Sequence, residues 1–181
     1  MIPYKIYETE RLVLKPTSLE DAVFLLELLN SPKWLEYIGD RKVYTIEDAQ
    51  AYIKTKMLPQ LSKLGYSNNT LIRKSDSFKI GICGLHNREG VDGVDIGFAL
   101  LPTYEKKGYA FESSNKLIQV AFNELGQTQV NAVTKENNSS SQLLLEKLGL
   151  KLSGTTNLEN EELLVYKMKK QSWKNKKPIE R

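Results

Sequence analysis

Hydrophobic and polar residues follow two different periods along this chain, one typical of strands and one typical of helices. Residues 10–16 (ERLVLKP) have the period of a strand. Residues 18–30 and 45–61 have the period of a helix, and each begins at a Ser or Thr with an Asp three residues later. In the first of these helices the predicted apolar face comprises Val23, Leu26 and Leu29. The first third of the chain therefore predicts a strand followed by two helices.

The rest of the chain predicts three more strands and then alternating helices and strands. Short turns at residues 74–76 and 90–93 separate the three strands, which is typical of an antiparallel meander. Beyond them the pattern predicts a helix over residues 107–125, a strand, a short helix ending at Gly149 and two closing strands. The order β-α-α-β-β-β-α-β-α-β-β predicts one α/β domain over residues 1–168. Its sheet is expected to be mixed, mostly antiparallel and flanked by helices.

Composition limits what the chain can be. With 181 residues, 40% of them hydrophobic, it is long enough for one globular domain with a core. It has neither an apolar run of about 18 residues nor an apolar centre near its N-terminus, so we expect no membrane span and no secretory signal. A single cysteine, Cys83, and a single histidine, His86, argue against a His/Cys metal site, and one cysteine fits a reducing cytoplasm.

Positive charge is concentrated at the C-terminus. Residues 167–181 hold seven Lys or Arg and one Glu, whereas the preceding 166 residues hold 19 basic and 21 acidic side chains. We therefore interpret residues 169–181 as a basic tail beyond the last predicted strand. Such a tail can contact RNA or the ribosome weakly by neutralising phosphates, although a solvated terminus explains the same composition.

The segment LLPTYEKKGYAFESS, residues 100–114, places Lys106, Lys107 and Gly108 between a strand and the long helix. Helix starts favour acidic residues, because the free N–H groups there carry partial positive charge. Two lysines are unfavourable at this point unless an anion binds, and a glycine lets the backbone approach that anion closely. The junction thus predicts a phosphate or pyrophosphate site, although it is neither a P-loop nor a GxGxxG motif.

This junction, in the context VDIGFALLPTYEKKGYAFESS, and the later segment VNAVTKENNSSSQLLLEKLGLKLSG together resemble the GCN5-related N-acetyltransferase (GNAT) family. The opening YETERLVLKPTSLEDA is similar to the family's RimJ and RimL branch of ribosomal-protein N-terminal acetyltransferases. The resemblance covers residues 6–168 and implies a GNAT-like fold, acetyl-CoA as co-substrate and no metal. It also implies a homodimer as one option, because family members often form dimers.

The acetyl-CoA loop of the family has the pattern Gln/Arg-x-x-Gly-x-Gly/Ala, which Gly108 and Ala110 match. Glu105 and Lys106 depart from the usual residues at their positions. The resemblance implies that the main chain of this loop holds the cofactor. The predicted cofactor-binding residues of the loop are Lys106, Lys107, Gly108, Tyr109 and Ala110.

The family's second motif begins Asn-x-x-Ser/Ala and here runs from Asn138 to Ser141. The resemblance implies that both residues face the pantetheine and thiol end of the cofactor. Leu145 replaces the tyrosine that protonates the departing thiolate in many members, and a serine substitutes for it in the RimL-like branch. We therefore predict that Ser141 is the acid. Without the loop at residues 104–110, a helix-capping polar loop would be the better interpretation of this segment.

The strand of the family that corresponds to DIGFALL separates from its neighbour, and its main chain contacts the acetyl carbonyl and pantetheine after a bulge. This implies that Phe98, Ala99 and Leu100 contact the cofactor. Asp95 lies where members often have a Glu beside the acceptor amine, which makes it the candidate base, directly or through a water. A solvated strand residue is an equal alternative for Asp95. His86 could also be a base, but a hydrogen-bonded histidine at a strand end is the favoured interpretation.

Three aromatic residues, Trp34, Tyr37 and Tyr44, lie in the connection between the first two predicted helices. In the family this connection borders the acceptor site, so the three are candidate substrate contacts. Packing of a long connection against the core explains them as well.

Taken together, these residues predict transfer of an acetyl group from acetyl-CoA to a primary amine. The first choice of acceptor is a protein N-terminal amine of the ribosomal type, and a small-molecule amine such as a polyamine or an antibiotic is the enzymatic alternative. A non-catalytic CoA- or RNA-binding accessory protein is the alternative outside enzymes, because Leu145 and the altered loop depart from the family pattern.

Overall fold

The structure, a computed structural model, describes residues 4–87, 93–158 and 160–174. Eight strands have the following bounds: β1 Tyr7–Glu8, β2 Leu12–Pro16, β3 Asn68–Arg73, β4 Lys79–His86, β5 Val94–Leu100, β6 Gln129–Thr134, β7 Lys151–Leu158 and β8 Glu161–Lys169. They form one sheet in the order β1-β2-β3-β4-β5-β6-β8-β7. Neighbouring strands pair antiparallel except β5 and β6, which are parallel.

Helices cover both faces of the sheet. Their bounds are α1 Ala22–Leu29, α2 Pro32–Tyr37, α3 Ile46–Tyr52, α4 Leu58–Leu64, α5 Tyr109–Asn123, α6 Ser139–Leu148 and α7 Lys170–Lys174. A π-helical segment, Ile53–Met57, joins α3 to α4. Within the described residues no helix is long and apolar enough to span a bilayer.

Two hydrophobic cores lie on opposite faces of the sheet. Adjacent residues of β4 show this division, because successive side chains of a strand point to opposite faces. Cys83 packs in the core beneath α5 and α6, with Phe122 of α5. Ile82 packs in the core beneath α1 and α3, with Leu25 and Ala49. The sheet is therefore the middle of three layers.

The predicted α/β fold and the order of its main elements are confirmed. The structure adds β1, α2 and α7, which are each too short to give a clear period in the sequence. The helix predicted over residues 45–61 is the continuous run of α3, the π-helical segment and α4. Thr45 caps this run as predicted, because its side chain accepts a hydrogen bond from the Asp48 main-chain N–H.

The predicted apolar face of α1 was right at Leu29 and wrong at Val23. Leu29 is 2% exposed, and Leu26 is partly buried against the core. Val23, however, is 65% exposed, and Phe24, which the spacing did not select, is buried. This helix is apolar on almost every side, so spacing alone cannot select the buried face. Its rotation follows instead from Asp21 just before it, whose carboxylate is bonded to the sheet.

The described part of the basic C-terminal segment packs against the domain. Trp173 of α7 lies against Phe122 of α5, with ring centroids 5.4 Å apart. Residues 175–181 lie outside the described residues. The division of the chain at residue 168 stays a prediction.

Candidate active site

The strands β5 and β6 separate along the sheet, and the gap opens into a cavity of about 930 Å³. Within the described chain they pair only at Val94 with Val130 and at Asp95 with Asn131. Beyond these pairs β5 continues to Leu100 with β4 as its partner. The edge of β5 that faces β6 therefore offers main-chain N–H and C=O groups to the cavity.

Gly93 lies at the closed end of this gap. It belongs to the predicted turn at residues 90–93, of which residues 90–92 lie outside the described residues. Its φ is +85°, and a Cβ at this position would lie 2.4 Å from the main-chain oxygen of Gln129. A glycine is therefore needed for β5 and β6 to come together here.

The bulge implied by the resemblance is not present, because the register of β4 and β5 is unbroken. The cavity opens instead by divergence of β5 from β6. Phe98, Ala99 and Leu100, the predicted main-chain contacts, all line the cavity. Their position on the free edge of β5 is compatible with that role.

Asp95 and His86 lie together on the wall of the cavity. They are direct neighbours in the antiparallel pairing of β4 with β5. Asp95 is 4% exposed, and both residues line the cavity. The imidazole of His86 lies over Gly97, with its Nε2 atom 3.5 Å from the position that a Cβ would take there. The predicted base, Asp95, and the less favoured candidate base, His86, are thus neighbours on the sheet face that α1 and α3 cover.

The loop before α5 adopts an unusual backbone conformation. Lys106 has φ +57° and Gly108, the N-cap of α5, has φ +84°. Left-handed conformations cost a non-glycine residue about 1–2 kcal/mol, so the loop has this shape only because its surroundings impose it. Lys106, Gly108 and Ala110 line the cavity.

Lys107 and Tyr109, predicted in the same loop, lie outside the cavity wall. The ammonium of Lys107 is 5.7 Å from the ring centroid of Tyr104. Tyr109 is 7% exposed and packs in the core beneath α5, with the guanidinium of Arg11 over its ring at 4.4 Å. Of these two residues, only the main-chain groups are placed to contact a ligand at the loop.

The start of α6 contributes Asn138 and Ser141, which both line the cavity. The side-chain oxygen of Asn138 accepts a hydrogen bond from the main-chain N–H of Ser141 at 3.1 Å. Asn138 is therefore the helix cap, and the Ser141 hydroxyl is not needed for that purpose. Leu145, one turn later, is buried and also lines the cavity.

The helix α2 forms another part of the cavity wall with Trp34 and Tyr37. Trp34 is 7% exposed, and its indole N–H has no hydrogen-bond partner in the described part of the chain. Lys33 of the same helix forms an ion pair with Glu105, which ties α2 to the loop before α5. Sequence reasoning offered no role for Glu105.

Tyr44 is not brought into the cavity. Its side chain is exposed, and its hydroxyl donates a hydrogen bond to Asp40 at 2.6 Å. This bond, with a second from the main-chain N–H of Lys42, holds the pKa of Asp40 below its usual range. Asp40 lines the cavity, so an ionised carboxylate lies at its α2 side.

The residues around the cavity fit an elongated anionic thioester such as acetyl-CoA. Exposed Lys106 and the main chain at Gly108, both on the cavity wall, suit a pyrophosphate, and the free edge of β5 suits the amides of pantetheine. A Cβ on Gly108 would lie 3.2 Å from Arg11 Nη2, so a larger residue would crowd Arg11 at the start of α5. Within the described residues, no group of three or more His, Cys, Asp or Glu could hold a metal ion.

Comparison with known proteins identifies the family. The sequence of residues 11–151 matches the family model of the acetyltransferase (GNAT) domain. An N-acetyltransferase named p20 and described as uncharacterized, from Bacillus licheniformis, is 30% identical over 148 residues, which cover 81% of this chain and 82% of that protein. The chain belongs to the GNAT acetyltransferase family and is an acetyl-CoA-dependent N-acetyltransferase.

Solved structures agree with this fold. The ribosomal-protein-S5-alanine acetyltransferase from Vibrio fischeri has a TM-score of 0.72 and 18% identity, with 93% of this chain and 98% of that chain covered. AAC(6')-Ib, in complex with Parmomycin and AcetylCoA, has a TM-score of 0.78 and 16% identity, with 94% and 100% covered. At these identities the likeness concerns the fold alone, and the two do not separate a protein acceptor from a small one.

Proposed function

We propose that this enzyme acetylates the N-terminal amine of a protein by direct attack of that amine on acetyl-CoA. The thioester supplies the activated acetyl group. The C–N bond forms at the acetyl carbon and the C–S bond breaks. The chain must then remove one proton from the amine and stabilise the thiolate that leaves.

Asp95 is the proposed acceptor of the amine proton, directly or through a water. It lines the cavity on the face of β5 that α1 and α3 cover, next to His86. Main-chain N–H groups at the free edge of β5 are the proposed donors to the carbonyl oxygen. Preorganised donors of this kind stabilise an oxyanion without reorganising during the reaction.

Ser141 is the proposed donor to the departing sulfur. Its hydroxyl is left available because Asn138 caps α6, and Leu145 on the same side of the helix has no proton to give. A covalent intermediate on Cys83 is not proposed. Burial raises the pKa of that thiol to about 11, and the residue packs in the core beneath α5.

The indole N–H of Trp34 carries our choice of acceptor. The indole nitrogen is itself buried from solvent, and a buried donor without a partner costs free energy, so a substrate gains affinity when the ring turns on binding and the substrate accepts this hydrogen bond. A protein N-terminus has a carbonyl next to its amine, and a simple polyamine has none. The relation to the RimJ and RimL branch remains part of this proposal.

A cationic small-molecule amine is the second candidate, and the ionised carboxylate of Asp40 on the cavity wall favours it. Negative charge in a cleft attracts cations over some distance. This attraction acts on a protonated protein N-terminus too, so Asp40 alone does not decide between the candidates.

Thiol release from acetyl-CoA tests the proposal. The acceptors are short peptides with a free N-terminus, the same peptides with a blocked N-terminus, and polyamines. We expect release only with the free N-termini. Trp34→Phe, which keeps an aromatic ring but removes the N–H, should raise the peptide KM about tenfold and leave the acetyl-CoA KM unchanged. Turnover of polyamines but not of peptides would overturn the proposal in favour of the second candidate. Turnover of neither would exclude both classes of acceptor.

A further inference from the structure

We propose that Arg11, Thr9 and Glu112 form a brace that holds the loop before α5 in its acetyl-CoA-binding shape. Arg11 is then a positioning residue of the acetyl-CoA site, although it does not line the cavity. The inference rests on the proposed placement of the pyrophosphate at this loop.

Three hydrogen bonds converge on the carboxylate of Glu112, in the first turn of α5. The guanidinium Nε of Arg11 donates to Oε2 at 2.7 Å, and the main-chain N–H of Arg11 donates to Oε1 at 2.8 Å. The hydroxyl of Thr9 donates to Oε1 at 2.6 Å. The segment between β1 and β2 is thereby fixed to the beginning of α5.

The guanidinium of Arg11 also reaches the loop itself. Its Nη1 donates to the main-chain oxygen of Lys107 at 3.0 Å, and its plane lies over the ring of Tyr109. Its Nη2 lies 3.2 Å from the position of a Cβ on Gly108. One side chain therefore contacts Lys107 and Tyr109 and lies beside Gly108 between them, at the point where the chain enters α5.

These contacts fix the loop in a backbone conformation that is unfavourable without them. Lys106 and Gly108 both have positive φ, and a strained loop persists only when neighbouring groups determine its shape. A loop that is already in the bound shape pays less ordering entropy when a ligand binds. Loss of the brace should therefore weaken binding at the loop without affecting chemistry at the other end of the cavity.

The direction in which Glu112→Gln changes acetyl-CoA affinity shows whether Arg11 acts as a brace or only as a positive charge. If Arg11 acted only by attracting phosphate, Glu112→Gln would remove a nearby negative charge and strengthen acetyl-CoA binding. If Arg11 acts as a brace, the same substitution removes its anchor and weakens binding. We expect the acetyl-CoA KM to rise about tenfold in Glu112→Gln and Arg11→Ala, with kcat within twofold of the parent.

A shorter substrate provides a readout that general loss of stability would not produce. S-acetylpantetheine has the thioester but no pyrophosphate, so its kcat/KM should be unchanged in both variants. Arg11→Lys keeps the charge without the planar fork, and we expect a KM between those of the parent and Arg11→Ala. Glu124→Gln is the matched control, because Glu124 pairs with Lys5 and so joins the N-terminal segment to the far end of α5. Its acetyl-CoA KM should equal that of the parent.

The possible results distinguish the brace from the proposed function. A parental acetyl-CoA KM in Glu112→Gln and Arg11→Ala, with an active parent, overturns the brace alone. Equal losses with acetyl-CoA and S-acetylpantetheine also overturn it, since the role would then be general stability. A parent that does not bind acetyl-CoA overturns both. If a variant fails to fold, Thr9→Val removes one hydrogen bond to Glu112 and should still raise the acetyl-CoA KM measurably.

Discussion

The starts of α1 and α5 are both held by a hydrogen-bonded carboxylate, but the two carboxylates have different roles. At each, a carboxylate in or just before the first turn accepts hydrogen bonds from a strand or from a segment beside one. Asp21 accepts from Thr70 of β3 at 3.0 Å and from Lys79 of β4 at 2.7 Å. Glu112 accepts from Arg11 and Thr9 beside β2. The two carboxylates differ in which part of the molecule their partners contact.

Asp21 contributes only to the packing of α1 on the sheet, whereas Glu112 is connected to the candidate active site. Asp21 is 4% exposed and lies outside the set of described residues that line the cavity. Glu112 is held by Arg11, which contacts the loop that does line it. The start of α1 should therefore affect stability alone, and the start of α5 should affect stability and ligand binding together.

Removal of the Asp21 carboxylate gives the largest expected effect. Asp21→Ala leaves Thr70 and Lys79 without their acceptor, and we expect it to lower the free energy of unfolding by about 3 kcal/mol. Urea unfolding measures this. Glu20→Ala, at the exposed neighbour that pairs with Lys15, is the control and should change it by less than about 0.5 kcal/mol. A lower acetyl-CoA affinity in folded Asp21→Ala would show that α1 is coupled to the site and that the two helix starts do not differ in this respect.

The start of α6 extends the comparison to two neighbouring residues. Ser141→Ala should lower kcat at least tenfold, the low side of the ~10²–10⁴-fold effect of a positioned acid, with little change in acetyl-CoA affinity. Asn138→Ala removes the cap and should cost about 1 kcal/mol of stability. Steady-state kinetics with a good acceptor amine and thermal unfolding separate the two. Parental turnover in Ser141→Ala would mean that water or a main-chain group serves the thiolate.

Acid should weaken the Glu112 brace. Burial raises the pKa of Glu112, but the hydrogen bonds from Thr9 and Arg11 together hold it below its ordinary value of 4.5. A carboxyl whose pKa is lowered by folding stabilises the protein above the ordinary value and loses that contribution as pH falls through the folded pKa. The melting temperatures of the parent and Glu112→Gln should therefore differ above about pH 4.5 and converge below it. A constant difference across this range would show that ionisation of Glu112 does not matter.

The C-terminal segment should have the smallest effect on the site. A chain ending at residue 174 keeps α7 and the contact of Trp173 with Phe122, so its acetyl-CoA affinity should equal that of the full chain. If the basic residues contact RNA, RNA affinity of the full chain should fall steeply with salt, and the shortened chain should lose it. Equal RNA binding by both chains would show that residues 175–181 have no part in RNA contact.

Local signals in the sequence were sufficient for the fold and for part of the site. The periods of the strands and of α5 specify the order of elements, and the segment around Gly108 marks the start of α5 correctly. The face of α1 was predicted only in part from spacing, because that helix is apolar on most sides and its rotation depends on Asp21. Tyr44 shows the same limit, since an aromatic residue in a connection gives no sign of the direction it takes.

The contacts that complete the site come from distant parts of the chain. Arg11 and Glu112 are 101 residues apart, and no period or motif relates them. The pairing of His86 with Asp95 depends on the register of β4 with β5, which the period of neither strand specifies. Such relations become visible only when the sheet is assembled.

Calorimetric titration of Gly108→Glu with acetyl-CoA tests our claim that the cofactor binds at the loop before α5. The substitution adds strain at φ +84°, a side chain toward Arg11 and a negative charge beside the proposed pyrophosphate. Gly126→Glu is the matched control, because Gly126 has φ +67° after the far end of α5 and open space around it. We predict that the parent and Gly126→Glu bind acetyl-CoA with equal Kd and that Gly108→Glu shows no binding. Parental affinity in Gly108→Glu would contradict the claim and place the cofactor elsewhere.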